Sequence, residues 1–70
     1  MNITIVSIHD KYELFFNDSR VRSNKIIETI SSKEKINKEN IKIIYNDIII
    51  KYSINEEVFT KNTILYVIIS

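Results

Sequence analysis

Apolar and polar residues alternate along Met1–Ile8 (MNITIVSI), with Met1, Ile3 and Ile5 on one side and Asn2, Thr4 and Val6 on the other. A period of two is that of a half-buried strand. His9-Asp10 interrupts the run, and Lys11–Phe16 resumes it with Tyr12, Leu14 and Phe16 in phase, so a hairpin is predicted. Asn17–Arg22 is polar and reads as a loop. Ile26, Ile27 and Ile30 then recur at the spacing of one buried helical face. They predict a helix to about Glu34, with Ser23 as a suitable N-cap or Arg22 already in the first turn. Ile36 stands alone past the helix end and is expected to fold back onto the core as a plug.

Two later stretches are apolar on both faces, Ile41–Ile50 (IKIIYNDIII) and Ile64–Ile69 (ILYVII). In the first, Ile41, Ile43 and Tyr45 share one face of a strand, with Lys42 and Ile44 on the other. Asn46-Asp47 turns the chain into a short strand, Ile48–Ile50. Asn37–Asn40 is a polar connection, and Lys51–Asn62 reads as mostly irregular with Ile54, Val58 and Phe59 as anchors. A single helix covers only one side of a small sheet. If Ile41, Ile43, Leu65, Val67 and Ile69 close over it, strand alternation turns Ile44, Tyr66 and Ile68 outward. That second apolar side points to binding.

Composition narrows the classes. Seventy residues make one domain, 1–70, at a size where a single core is barely sufficient. There is no cysteine, so neither disulfides nor a zinc cluster staple the fold. Alanine is absent and isoleucine abundant, which favours strands. The chain has no glycine, and with it go every phosphate-cradling loop and nucleophile elbow. With one histidine and no cysteine, most nucleophile–base pairs cannot be assembled. No residue qualifies as catalytic, metal-ligating or cofactor-binding, so a non-enzyme is expected. The net charge of +1 disfavours a nucleic-acid partner, and no run is long enough for a membrane span. A cytoplasmic or nuclear location is expected. Without glycine, Asp10, Asn17, Asn46 and Asp47 are the candidates for left-handed turn positions.

The order β-β-α-β-β-β, with the first and last strands parallel at the sheet centre, describes an α+β fold of the β-grasp type. At this point the chain resembles the ubiquitin family over its whole length. Ile30-Ser-Ser-Lys-Glu-Lys-Ile36 is similar to that family's I-Q-D-K-E-G-I, and Ile41-Lys-Ile-Ile-Tyr45 to its Q-R-L-I-F. Thr60-Lys-Asn-Thr-Ile-Leu-Tyr-Val-Ile-Ile69 resembles Q-K-E-S-T-L-H-L-V-L, in register but for two short deletions.

The resemblance implies protein binding through three aliphatic positions of the outer sheet face, which fall on Ile8, Ile44 and Ile68. Tyr66 stands where ubiquitin has histidine, and Val6 and Ile48 stand where it has lysines. Lys42 keeps a basic rim position, while Ser70 replaces an arginine. The implied surface is larger and more apolar than ubiquitin's, with Tyr66 at its centre and Val6 and Ile48 at its edge. The implied partner is a ubiquitin-associated type of helical domain or a proteasome subunit. The family's conjugation tail ends in Gly-Gly, which this sequence lacks. The expectation is therefore a non-conjugated adaptor, or the N-terminal domain of a longer protein. The alternatives are a structural subunit of a permanent complex or homodimer, like the elongin-B type, and a non-covalent, splicing-associated type. His9, and the Arg20, Arg22 and Lys25 cluster, read as exposed polar surface.

Overall fold

A computed structural model describes residues 1–70. Strand β1 (Asn2–Val6) pairs antiparallel with β2 (Lys11–Phe15). β1 stops at Val6, two residues short of the expected end, because the Ser7 N–H and hydroxyl both turn to the Asp10 carbonyl and close the loop there. Leu14 and Phe16 are buried and Tyr12 is half-buried, the inward set that the alternation predicts.

The helix α1 (Ser23–Glu34) buries Ile26, Ile27 and Ile30 completely. Full burial of each such side chain stabilises by roughly 1.5–3 kcal/mol, so this one face anchors the helix on the sheet. Ser23 does not cap it. The N-cap is Arg22, in extended conformation and with no side-chain bond to the helix. Ser23 lies buried instead, its hydroxyl accepting the Glu57 N–H while its own N–H donates to the Glu57 carbonyl. At the other end Lys35 is left-handed, and the N–H groups of Lys35 and Ile36 both reach the Ser31 carbonyl. This αL cap turns the chain so that Ile36 packs half-buried against the core, as expected.

After a 3₁₀ turn at Lys38–Asn40 come β4 (Ile41–Tyr45), β5 (Ile48–Ile50) and β7 (Thr63–Ile69). Two further short strands, β3 (Val21–Arg22) and β6 (Val58–Phe59), pair with each other. They lie in stretches read from sequence as loop and irregular. Two-residue strands carry no periodicity, so only their tertiary pairing defines them. Of the three expected anchors in that region Phe59 alone is buried; Ile54 and Val58 are exposed. Val21, not foreseen as core, is buried opposite Phe59.

The main sheet has the order β2-β1-β7-β4-β5, with β1 and β7 parallel and the other pairs antiparallel. One helix on a mixed sheet of this order is a β-grasp-like topology of the α+β class. A cluster of fourteen buried apolar residues lies between sheet and helix. Tyr45 extends it through an edge-to-face contact with Phe59, at 5.1 Å between ring centroids and 79° between planes.

Five non-glycine residues have positive φ: Lys35, Asn46, Asp47, Ser53 and Asn55. Asn46 and Asp47 are the two central residues of the β4–β5 hairpin, where a two-residue turn requires φ > 0 twice. Asp10 and Asn17, expected to share this role, do not. The first loop spans more residues, and Asp10 contributes its carboxylate, which accepts the Lys11 N–H.

Candidate functional site: the outer face of the sheet

Strand pairing determines which side chains share the face turned away from the helix. Val6 is opposite Tyr66, Tyr66 is opposite Ile44, and Ile44 is opposite Ile49. Lys11, opposite Val6, completes this row on β2. The next positions of β7, Ile64 and Ile68, stand on either side of Tyr66, with Ile64 opposite Thr4 and Ile68 opposite Lys42. The outer face therefore has an aromatic centre on the middle strand, aliphatic neighbours on four strands, and lysines at two points of its rim.

Exposure agrees with this assignment. Ile64, Tyr66 and Ile68 are 58, 59 and 46% exposed, while Leu65 and Val67 between them are buried. Ile49 is 49% exposed, and Val6 and Ile44 are half-buried by their neighbours. These exposed side chains lie next to one another on the central strand and its neighbours, so the outer face is apolar as well as the inner one. The Lys42 ammonium reaches the Ser70 hydroxyl at 3.3 Å, which holds its charge at the Ile68 end of the patch.

The structure separates two of the sequence-predicted positions from this row. Ile48 pairs with Tyr45, so strand alternation assigns it to the helix-side face at the end of the hairpin. Ile49 takes the outer place next to Ile44. The deciding signal was the two-residue turn: with Asn46 and Asp47 as its only central residues, Tyr45 must face Ile48 and Ile44 must face Ile49. Ile8 lies in the β1–β2 loop, 92% exposed, and borders a groove at one end of the sheet together with Ile68. Ile69 also departs from expectation. It has the parity of Leu65 and Val67 but is 40% exposed, because it lines that same end groove rather than closing over α1.

Elsewhere on the surface there are two ion pairs. The Arg22 guanidinium meets Glu56 at 3.5 Å and Lys25 meets Asp18 at 3.9 Å. The Tyr52 hydroxyl donates to Glu28, which raises its pKa, and the Lys38 ammonium lies 4.2 Å from the Tyr52 ring centroid. The Tyr12 hydroxyl is buried with no hydrogen-bond partner. Burial first, and then the nearby Glu34 carboxylate, push its pKa up to about 12. No three His, Asp or Glu side chains converge as metal ligands would. No helix is long and apolar enough to cross a membrane. No protein-family model matches the chain, and no curated protein matches it either.

Proposed function

We propose that this chain is a ubiquitin-like interaction domain that binds another protein through the outer face of its sheet. The observation that carries the reading is the apolar row Val6–Tyr66–Ile44–Ile49, with Ile64 and Ile68 beside it, on the side that α1 does not cover. Tyr66 is the central anchor: it offers a large rigid area and a hydroxyl for one hydrogen bond. Ile44, Ile49 and Ile68 form the aliphatic surround, and Lys42 the cationic rim. Val6 ends the row on β1, Ile8 borders the patch beyond Ile68, and Ile48, on the other face, takes no part in it.

The partner is a helical element with an apolar stripe, of the kind found in ubiquitin-associated domains or ubiquitin-receptor subunits of the proteasome. No catalytic, cofactor or metal chemistry is part of this reading. Titration with an isotope-labelled ubiquitin-associated domain tests it. Binding that maps to Tyr66, Ile44 and Ile49 and is lost in Ile44→Ala and Tyr66→Ala is the expected result. Unchanged binding in both variants would overturn the assignment.

A second reading is a permanent complex or homodimer in which the same face is always covered. Exposure of more than half of both Ile64 and Tyr66 on a central strand favours it. Sedimentation over a wide concentration range separates the two, since a persistent monomer contradicts the homodimer.

A further inference from the structure

The groove at the open end of the sheet has a chemistry different from that of the outer face. It has a volume of about 580 Å³, and its apolar walls are Ile8, Ile36, Val67, Ile68 and Ile69. These come from the β1–β2 loop, the turn after α1 and the end of β7, three segments far apart in sequence. Its polar lining is Ser7, His9, Asp10 and Glu34, and no lysine or arginine lines it. The two ion pairs of the molecule lie elsewhere, at Arg22–Glu56 and Lys25–Asp18, so neither carboxylate has a cation for a partner. Asp10 uses one oxygen to accept the Lys11 N–H at 2.8 Å, which holds the side chain in place. Glu34 is half-buried beside Ile36.

We infer that this groove is a second binding site, which takes a lysine or arginine side chain next to an aliphatic residue in a segment of another protein. The methylene stem of a lysine or arginine lies along isoleucine surface while its head group reaches outward. In this groove the head group would meet two carboxylates that are in no ion pair. A guanidinium or ammonium bonded to carboxylate next to apolar surface gains more than an exposed pair does, because part of the contact is dry. An acidic segment meets repulsion from both carboxylates, and a purely aliphatic one leaves Glu34 half-buried and still unpaired. The site is independent of the outer-face reading. The two share only the Ile8 and Ile68 wall, and Ile44, Tyr66 and Ile49 take no part in the groove.

A display selection from a random peptide library tests the inference, with the folded full chain as bait and the Asp10→Asn/Glu34→Gln double variant as counter-bait. Both substitutions keep side-chain size and hydrogen-bonding capacity, and retention of the fold is checked by thermal unfolding. Enriched peptides are expected to carry Lys or Arg beside Ile, Leu or Val. They should lose about three- to tenfold in affinity for each carboxylate removed. Amide shifts on binding should fall at Ile8, Ile36, Val67 and Ile69, and Tyr66→Ala should leave affinity unchanged. Three results would overturn it: no peptide preferring the native chain to the double variant, enrichment of acidic or uncharged peptides, or shifts centred on Ile44 and Tyr66. Loss of outer-face binding with retention of groove binding would reject the proposed function and leave this inference standing.

Discussion

Lys35 adopts φ 57 and ψ 45 at the helix C-terminus, a conformation that glycine enters without the Cβ clash. The position needs only its N–H, which bonds the Ser31 carbonyl. Lys35→Gly is therefore expected to stabilise the fold by about 0.5–1 kcal/mol, measured by urea unfolding; a loss of stability would show that the lysine side chain matters. Tyr12 allows a second prediction. Its folded pKa of about 12 lies above the ordinary value of 10.0, so the folded state holds the proton more tightly than the unfolded chain. The associated stability is complete below pH 10 and is lost as pH rises towards 12. Tyr12→Phe should flatten that alkaline decline. It should also leave neutral-pH stability unchanged or slightly higher, because the removed hydroxyl is buried without a partner. An unchanged alkaline slope in the variant would place its origin elsewhere.

At the level of elements, the helix and the small β3–β6 ladder are joined through Ser23. Its hydroxyl accepts the Glu57 N–H at 3.0 Å, and Ser23 itself has no exposed surface. Ser23→Ala leaves that N–H without a partner and is expected to cost about 1–3 kcal/mol, with the Val21–Phe59 pairing the first to lose hydrogen-exchange protection. The apolar face of α1 is more demanding. Ile27→Ala opens a cavity in the core and should cost about 2–5 kcal/mol, enough to unfold much of a seventy-residue domain at room temperature. Ile27→Val should cost about 0.5–1.5 kcal/mol and leave the fold intact, which separates cavity formation from a general intolerance of change. Helix and hairpins were legible in the sequence because Ile26, Ile27 and Ile30, or Tyr12, Leu14 and Phe16, repeat with a definite period. β3 and β6 were not, since two residues hold no period and Val21 and Phe59 find each other only across the folded chain.

On the scale of the whole molecule, the two sides of the sheet have different roles in stability. Ile64 and Tyr66 are more than half exposed, so Ile64→Lys and Tyr66→Lys should change stability by no more than about 0.5 kcal/mol. The same substitutions should abolish any concentration-dependent association in light scattering. If association persists, the outer face is not its origin. Ile64 and Tyr66 thus test the surface without disturbing the core, whereas Ile44, half-buried, tests both together.

By itself the sequence determined the α+β class, the buried face of the helix and the apolar character of both sides of the β4 and β7 stretches. Those follow from local periodicity and from the absence of a second helix to cover the outer side. The tertiary structure displays, through cross-strand pairing, what the two-residue Asn46-Asp47 turn already implied: Ile49 rather than Ile48 stands beside Ile44. It alone turned Ile69 and Ile8 towards an end groove with Asp10 and Glu34. Alternation gives a side chain its parity, but what lies above it depends on where the helix ends and which loop comes near.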